Sequence, residues 1–443
     1  MSIFDKEEII KKLLDELKMT KPNYDKKWRY YSGDHDILHK RIANDPMKND
    51  MRVYFNYCRK MVQNSVGYLL GKPVSYNSKT DNKEFLSLID YNFNTWEHNH
   101  NIKLKIISSI NGHAYEVSFI NSEGDFQCAV YHPSEMIVLH DNSVENRITL
   151  AVRKYKVKFD ESEYIDVWDD THFRNYKING GTYELLQEKP HRFSRCPVRE
   201  LKNNDSKKST FEDIMKIIDI YNAILSVSAQ EIMDHRNSYL VFKNCNIKME
   251  DAKKMRENGI IKLPNPNSEV EWLTKDINAT FLKDVLQLLQ DEIYAQSHQV
   301  NLNENFQSNT SGVTIRLKLQ ELENQSAISE SDFDQLLKSR LKLFCEYLAL
   351  KDINNEKFDY KDIAISFTRN VPVDDVANAQ MVATLNGIVP HEDLLGKLSF
   401  ISNPSAAYER LLKQLENSKD TTPGKSDLIV IPAHEDPVDP TGS

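Results

Sequence analysis

The sequence predicts an α+β fold: a mixed region with an antiparallel sheet, a two-helix stalk with a small knob at its tip, and a helical C-terminal unit. Three observations predict it. Segments with period-two alternation, the mark of half-buried strands, cluster between residues 113 and 169. Two long helical stretches, about 210–235 and 277–298, bracket a short insertion rich in strand-like pieces. Beyond residue 312 the periodicity is helical apart from one strand.

The elements follow in order. Residues 1–20 read as a helix with Ile3, Ile9, Ile10, Leu13, Leu14 and Leu17 on one side. A second helix is expected from about Asn56 to Leu70, stopped by Gly71-Lys72-Pro73. The segments HAYEVSFI (113–120), EMIVLH (135–140), ITLAVRKYKV (148–157) and EYIDVWD (163–169) read as strands. Turn residues such as Ser122-Glu123-Gly124 and Asn179-Gly180-Gly181 separate them. Ser209 and Glu212 form a capping box, so a long helix should run from about Thr210 to His235. YLVFKN (239–244), a short helix near 249–257, GIIKLP (259–264) and EVEWL (269–273) make the insertion. A second long helix carries Leu282, Val285, Leu289 and Ile293 on one stripe. The polar stretch 301–312 separates it from two helices, about 313–325 and 330–350. DIAISFT (362–368) is a strand, a last helical unit runs to about Leu415, and the tail from Lys419 reads as disordered.

Bulk properties narrow the function classes. With 443 residues the chain can form two to four modules of roughly 150 residues each. Its 66 acidic against 57 basic residues give a formal charge of −9. Such a balance excludes tight wrapping of nucleic acid over the whole surface, because that binding is driven by Lys and Arg displacing counterions. It leaves room for nucleic acid that passes without sticking. The five cysteines are scattered and include no C-x-x-C pair, so free thiols in a reducing compartment are expected, not disulfides or zinc. The N-terminal segment lacks a signal peptide's apolar core, and no apolar run approaches the ~20 residues of a membrane span. A cytoplasmic site of assembly and no membrane partner are expected.

Catalytic motifs are sparse. Gly71-Lys72-Pro73 lacks the upstream glycine and the hydroxyl of a phosphate-binding loop. His98 and His100 in EHNHN read as a solvated polar stretch. Asp34, His35, Asp36 and His39 in YYSGDHDILHKR could serve a metal-dependent hydrolase or nuclease, since His35 and His39 would share a helix face. The competing reading is a turn at Ser32-Gly33 with Asp34 as N-cap and Asp36 favoured by the helix dipole. No catalytic residue, metal or cofactor is assigned on the main reading.

The element YYSGDHDIL, followed by NYCRKMVQNSVGYLLGKPVSY (56–76), resembles the N-terminal signature of siphovirus-type portal proteins of tailed double-stranded DNA phages. Three later segments are similar to elements of the same family: IIDIYNAILSVSAQEIMDHRNSYLVF (217–242) with Asp219, Tyr221 and Asn222; SGVTIRLKLQELENQS (311–326), where Arg316 replaces a lysine; and FTRNVPVDD (367–375). The resemblance spans about 25–415. It implies a portal fold with a mixed α/β wing, long-helix stem, small α/β clip and all-helical crown, assembling as a ring. Mapped here, an N-terminal helix (1–19) precedes the wing (20–205). The stem (206–238 and 277–300) brackets the clip (239–276). A tunnel loop (301–311) leads to the tunnel helix and second part of the wing (312–372), the crown (373–418) and a disordered tail (419–443).

The resemblance further implies a non-enzymatic dodecameric ring at one capsid vertex of the virion, assembled in the host cytoplasm, a channel for double-stranded DNA packaging and ejection. Its expected partners are the terminase large subunit, the scaffolding protein, the major capsid protein and a head-completion adaptor. Channel contacts are expected from Asn303, Glu304, Asn305 and Phe306, from Gln307, Ser308, Asn309 and Thr310, and from Arg316 and Lys318. Hydrogen-bonding side chains suit phosphate contacts that form and break. Docking of terminase or adaptor is expected at Phe242, Pro264, Pro266 and Trp272.

Overall fold

A computed structural model of the chain describes residues 3–41, 50–179, 182–235, 239–244, 267–273, 279–301, 312–353, 358–370, 375–385 and 387–395, with a few further positions up to 414. The chain divides into two compact units, Met1–Asn370 and Val371–Ser443.

Helix α1 spans Ile3–Ser32, a dozen residues further than the sequence pattern suggested. Pro22 lies inside it without ending it. The helix persists because one face stays occupied throughout: Ile10, Leu13, Leu17, Lys27 and Tyr30 are all buried. Packing on that face outweighs the lost hydrogen bond of one proline, worth about 3 kcal/mol in an unsupported helix. Gly33, at φ +98°, then turns the chain. A short 3-10 turn follows at Asp36–His39, with His35 in the capping position and no side-chain cap. The expected cap by Asp34 does not form; its carboxylate holds His39 Nε2 at 2.5 Å instead.

Helix α2 (Tyr57–Leu70) begins at Asn56, whose side chain accepts the Arg59 amide. β1 (Ser75–Ser78), α3 (Lys83–Phe93) and α4 (Glu97–Asn111) come next. Gly112, at φ +93°, ends α4, and a Cβ there would collide with the Lys207 carbonyl. β2 (His113–Ile120) is flanked by β3 (Phe126–Tyr131) and β9 (Val198–Lys202) in a three-stranded antiparallel sheet. Between them, β4 (Met136–His140), β5 (Ile148–Lys156), β6 (Glu163–Trp168), β7 (His172–Asn179) and β8 (Thr182–Pro190) form a five-stranded meander. The four alternating segments expected as strands are β2, β4, β5 and β6. Helix α1 lays Ile10 and Leu13 on Leu150, Val152, Ile165 and Val167 of the meander. Each such side chain contributes up to roughly 1.5–3 kcal/mol when fully buried.

After Ser209 the backbone makes a turn before α5 (Met215–His235). Half of the expected capping box forms: Glu212 Oε2 accepts the Ser209 amide at 3.0 Å. The Ser209 hydroxyl instead donates to the Ser109 carbonyl at 3.2 Å, tying the turn to α4 and delaying the helix. β10 (Tyr239–Lys243) and β11 (Glu269–Leu273) pair antiparallel, as the alternation suggested, and lead into α6 (Ala279–Gln296). Tyr221 near the start of α5 and Tyr294 near the end of α6 both close on Tyr57. Ile232 at the far end of α5 shares a groove with Ala279 and Leu282. The two helices therefore run antiparallel, with the hairpin between them.

Helix α7 spans Gly312–Leu350 without interruption, where two helices were expected. Leu322 and Ser326, then Phe333, Leu336, Leu337, Leu341 and Phe344, keep one buried face across residues 326–330. The polar stretch Glu323 to Ser331 contains no breaker. β12 (Ile363–Ser366) pairs antiparallel with β1, so residues 291 apart in sequence close the first unit (Ser75 opposite Ser366). The second unit holds α8 (Asp375–Leu385) and α9 (His391–Leu395). Among the described residues no helix is long and apolar enough to cross a membrane. The described cysteines, Cys58, Cys128, Cys196 and Cys345, are free thiols.

Candidate functional site

The base of the stalk is where distant sequence motifs meet. Asn222, Ser226 and Gln230 sit four residues apart on α5, so they share one face. Four helical residues advance about 6 Å. Two residues of extended chain advance about 6.6 Å. The two spacings match, and the segment Met51–Phe55 lies along this face in antiparallel register. Asn222 Oδ1 accepts the Phe55 amide at 2.9 Å. Ser226 Oγ accepts the Val53 amide and donates to its carbonyl, both at 2.9 Å. Gln230 Oε1 accepts the Met51 amide at 2.9 Å. Side chains of a helix thus do the work of a neighbouring strand for the amides of Met51, Val53 and Phe55 and the carbonyl of Val53.

One turn earlier, Asp219 receives the Tyr30 hydroxyl at 2.9 and 3.0 Å through its two oxygens. Burial raises the Asp219 carboxyl above its ordinary value, against the pull of that hydrogen bond. His35 is buried against the rings of Tyr30 and Tyr54, at centroid distances of 4.8 and 5.2 Å. Burial lowers its imidazole from the usual range, so it is held neutral. Asp36 pairs with Arg29 and, at 3.4 Å, with Lys26. Burial works against its ionisation, yet the Arg29 hydrogen bond and these cations hold its carboxyl at about 2. The four candidate metal ligands therefore do not converge on one point: His35 faces two aromatic rings, Asp36 two cations, and Asp34 pairs with His39 and, at 3.8 Å, with Arg29. The tie from the end of α1 to α5 is the Tyr30–Asp219 hydrogen bond.

A second junction joins three more motifs. Tyr68 on α2 donates its hydroxyl to Glu323 on α7 at 2.6 Å. Arg369 grips both oxygens of Glu323 at 2.9–3.0 Å and reaches Glu330 at 2.6 Å. The Asn370 amide bonds the Tyr68 carbonyl at 3.1 Å. Gly71 passes so close to Asn370 and the Gly67 carbonyl that a Cβ would not fit. The pattern GYLLGKP, the Glu323–Glu330 stretch of α7 and the segment FTRN thus form one contact.

Deeper in the first unit lies a buried ionic core. Arg340 of α7 is fully buried and bonds Glu97 at 2.8 Å, Asn101 at 2.8 Å and Glu116 at 2.5 Å. Arg199 approaches Glu116 at 3.1 Å, and His100 Nε2 at 2.7 Å. Desolvation would raise the Glu116 carboxyl, but Arg340 and Arg199 hold it well below the ordinary range. His100, expected in solvent, is a core residue: α4 turns it inward onto β2. No local signal could have placed these groups together, since Arg340 sits more than 220 residues from Glu116. The ladder on α5 did leave a signal, namely polar residues at i, i+4 and i+8 within an apolar helix.

The stalk also presents apolar surface outward. On α5, Ile220 is 52% and Val227 45% exposed, seven residues apart on one stripe. On α6, Phe281 is 66% and Leu288 61% exposed, again seven apart. Both helices already bury another face in the core cluster through Ile218, Tyr221, Ile293 and Tyr294.

The expected channel residues Asn303 to Thr310 lie outside the described residues. Arg316 and Lys318 fall on α7, with side chains outside them. Phe242 and Trp272 fall on the facing strands β10 and β11, again with side chains outside the described residues, and Pro264 and Pro266 lie outside altogether.

Comparison with known proteins gives these junctions a context. The chain is 24% identical over 428 residues to a portal protein of Clostridium phage phiCD119, covering 88% of this chain and 92% of that protein. It is 24% identical over 422 residues to the portal protein of Bacillus phage SPP1, covering 87% and 82%. A chain in a solved structure titled "Neck of empty GTA particle computed with C6 symmetry" superposes with a TM-score of 0.45 at 11% identity, over 80% of this chain and 87% of that one. The family model described as "Phage portal protein, SPP1 Gp6-like" matches residues 10–421, taking in most of α1 as well as every motif joined at the base of the stalk. This chain belongs to the SPP1 Gp6-like family of phage portal proteins.

Proposed function

We propose that this chain is one subunit of a dodecameric ring at a capsid vertex, through which double-stranded DNA is packaged and later ejected. The observation that carries the proposal is the stalk's outward surface. A closed ring uses head-to-tail interfaces, which need two different faces on every copy. Helix α5 offers the Ile220 and Val227 stripe, and α6 offers the Phe281 and Leu288 stripe. One copy's α5 stripe packs on its neighbour's α6 stripe, and rotation closes the ring.

The excess of acidic residues suits a bore that repels a duplex evenly and lets it slide, where an arginine-lined one would release counterions and hold it. The polar residues Asn303 to Thr310, with Arg316 and Lys318, supply weak phosphate contacts. The region of β10 and β11, with Phe242, Pro264, Pro266 and Trp272, is the docking tip for the terminase large subunit and later a head-completion adaptor. Scaffolding and major capsid proteins hold the outer part. The chain has no phosphate-binding loop of the usual pattern, so the ATPase that drives DNA inward is a separate subunit.

Negative-stain microscopy of the purified chain tests this reading. The expected particle is a ring with a central hole, and Val227→Glu should yield folded single subunits. A wild-type chain that stays monomeric when concentrated and when co-expressed with its scaffolding protein would overturn it.

A further inference from the structure

Beside the stalk base, a cleft of about 300 Å³ opens between α4, α7 and the end of α6. Its floor is Lys105, only 2% exposed. The ammonium donates to Asn203 Oδ1 at 3.0 Å and Ser329 Oγ at 3.1 Å, two neutral acceptors. Among the described residues no carboxylate lies within ion-pair distance of it. Burial lowers the ammonium to about 8, and Asp332 pulls the other way only from longer range. A buried ammonium is ordinarily paired, because its desolvation is costly otherwise.

The walls carry hydrogen-bonding side chains, and the one carboxylate among the lining residues, Asp213, is paired with Lys208 at 2.8 Å. Ser65, Ser326, Ser329 and Gln299 line the cleft, with Ser326 and Gln299 more than nine-tenths buried. Gln299 Nε2 lies 2.8 Å from Ser65 Oγ, and its Oε1 has no partner. Because a hydroxyl either donates or accepts, the amide can turn over, bond Ser65 through oxygen and aim its NH₂ into the cleft. One ammonium, hydroxyls and an amide around a polar hollow match a tetrahedral oxyanion.

We propose that this cleft binds a phosphate group, with Lys105 as counter-ion and Gln299, Ser326 and Ser329 as donors. The phosphate comes either from solution as the inorganic ion or from a DNA backbone. The site lies within a single copy, so its test is independent of ring formation.

The experiment is calorimetric titration of the full-length chain with inorganic phosphate, against sodium chloride of equal ionic strength. Saturable binding is expected in the wild type. Lys105→Met should weaken it by more than tenfold, since a hydrogen bond to a charged group contributes about 1.5–3 kcal/mol. Gln299→Leu should weaken it about threefold, the size of a neutral hydrogen bond. If a short DNA duplex displaces the phosphate, the backbone is the source; if it does not, the free ion is. Heats no different from sodium chloride would overturn the proposal. Should Lys105→Met fail to fold, by circular dichroism, Gln299→Leu and Ser329→Ala decide: unchanged phosphate affinity in both would overturn it. A Lys105→Met chain that folds but assembles worse, while wild type ignores phosphate, would also overturn it, by giving the cleft to a neighbour's carboxylate.

Discussion

Single residues set the stability of this portal subunit where charge is buried. Arg340 satisfies Glu116, Glu97 and Asn101 at once, inside the protein. Breaking such a cluster leaves a carboxylate without its counter-charge, so Arg340→Met should cost about 3–5 kcal/mol. Urea unfolding will measure it, and Arg340→Met combined with Glu116→Gln should cost less than the sum of the two changes. His113 makes a separate prediction. Burial beneath Tyr24 and beside Tyr115 lowers its imidazole from 6.5 to about 4, against the pull of Glu200 and with Lys207 and Lys27 adding to the shift. Between those values the unfolded chain binds the extra proton and the folded chain does not, so stability falls as pH drops from about 6.5 to about 4. His35, His100, His132, His140 and His191 are lowered by burial too and act in the same direction. Asp36 acts lower down: its stabilisation is whole above 3.8 and is lost as pH falls towards about 2. Urea midpoints should therefore fall from neutral pH to about pH 5, and His113→Gln should flatten that slope. An equal slope in the variant would refute the assignment.

At the scale of elements, α7 and α5 carry the design. Helix α7 is continuous through residues 326–330, so an exposed position there should respond as a helix interior. Ile328 is 57% exposed. Its replacement by glycine should cost about 0.5 kcal/mol in thermal or urea melts, the difference between the helix penalties of glycine and isoleucine. A connector between two helices would show almost no loss. Gly112 sets the turn from α4 into β2 with a positive φ and a carbonyl against its α-carbon. Gly112→Ala is therefore strained twice over and should lower the melting temperature more than Ile328→Gly. Neither change alters a residue of the exposed stripes on α5 and α6, so assembly of whatever folds should be normal.

For the whole molecule, the prediction concerns closure. Each stalk carries two different apolar stripes, and a head-to-tail ring uses both. Copies with Val227→Glu keep the α6 stripe, and copies with Leu288→Glu keep the α5 stripe. Each variant alone should remain monomeric. An equimolar mixture should stop at dimers in light scattering, because one native interface forms and neither end can extend. Rings from the mixture would show that the stripes do not face one another. Neither exchange touches the buried core, so circular dichroism should match the wild type.

The sequence by itself determined the local elements whose signals are local. Period-two alternation located β2, β4, β5 and β6, and the stop at Gly71-Lys72-Pro73 ended α2 on time. The motifs YYSGDHDIL, GYLLGKPV, D-x-Y-N and FTRN identified the family. What each motif does was decided only in three dimensions. Tyr30 needs Asp219, Tyr68 needs Glu323, and Arg340 needs Glu116, partners 189, 255 and 224 residues away. Long-range pairs leave no periodicity for a sequence window to detect. The same reason explains the misplaced helix ends. Pro22 argues locally for a break and the polar residues 323–331 interrupt the apolar pattern, and a continuous buried face, supplied by distant segments, carries each helix through.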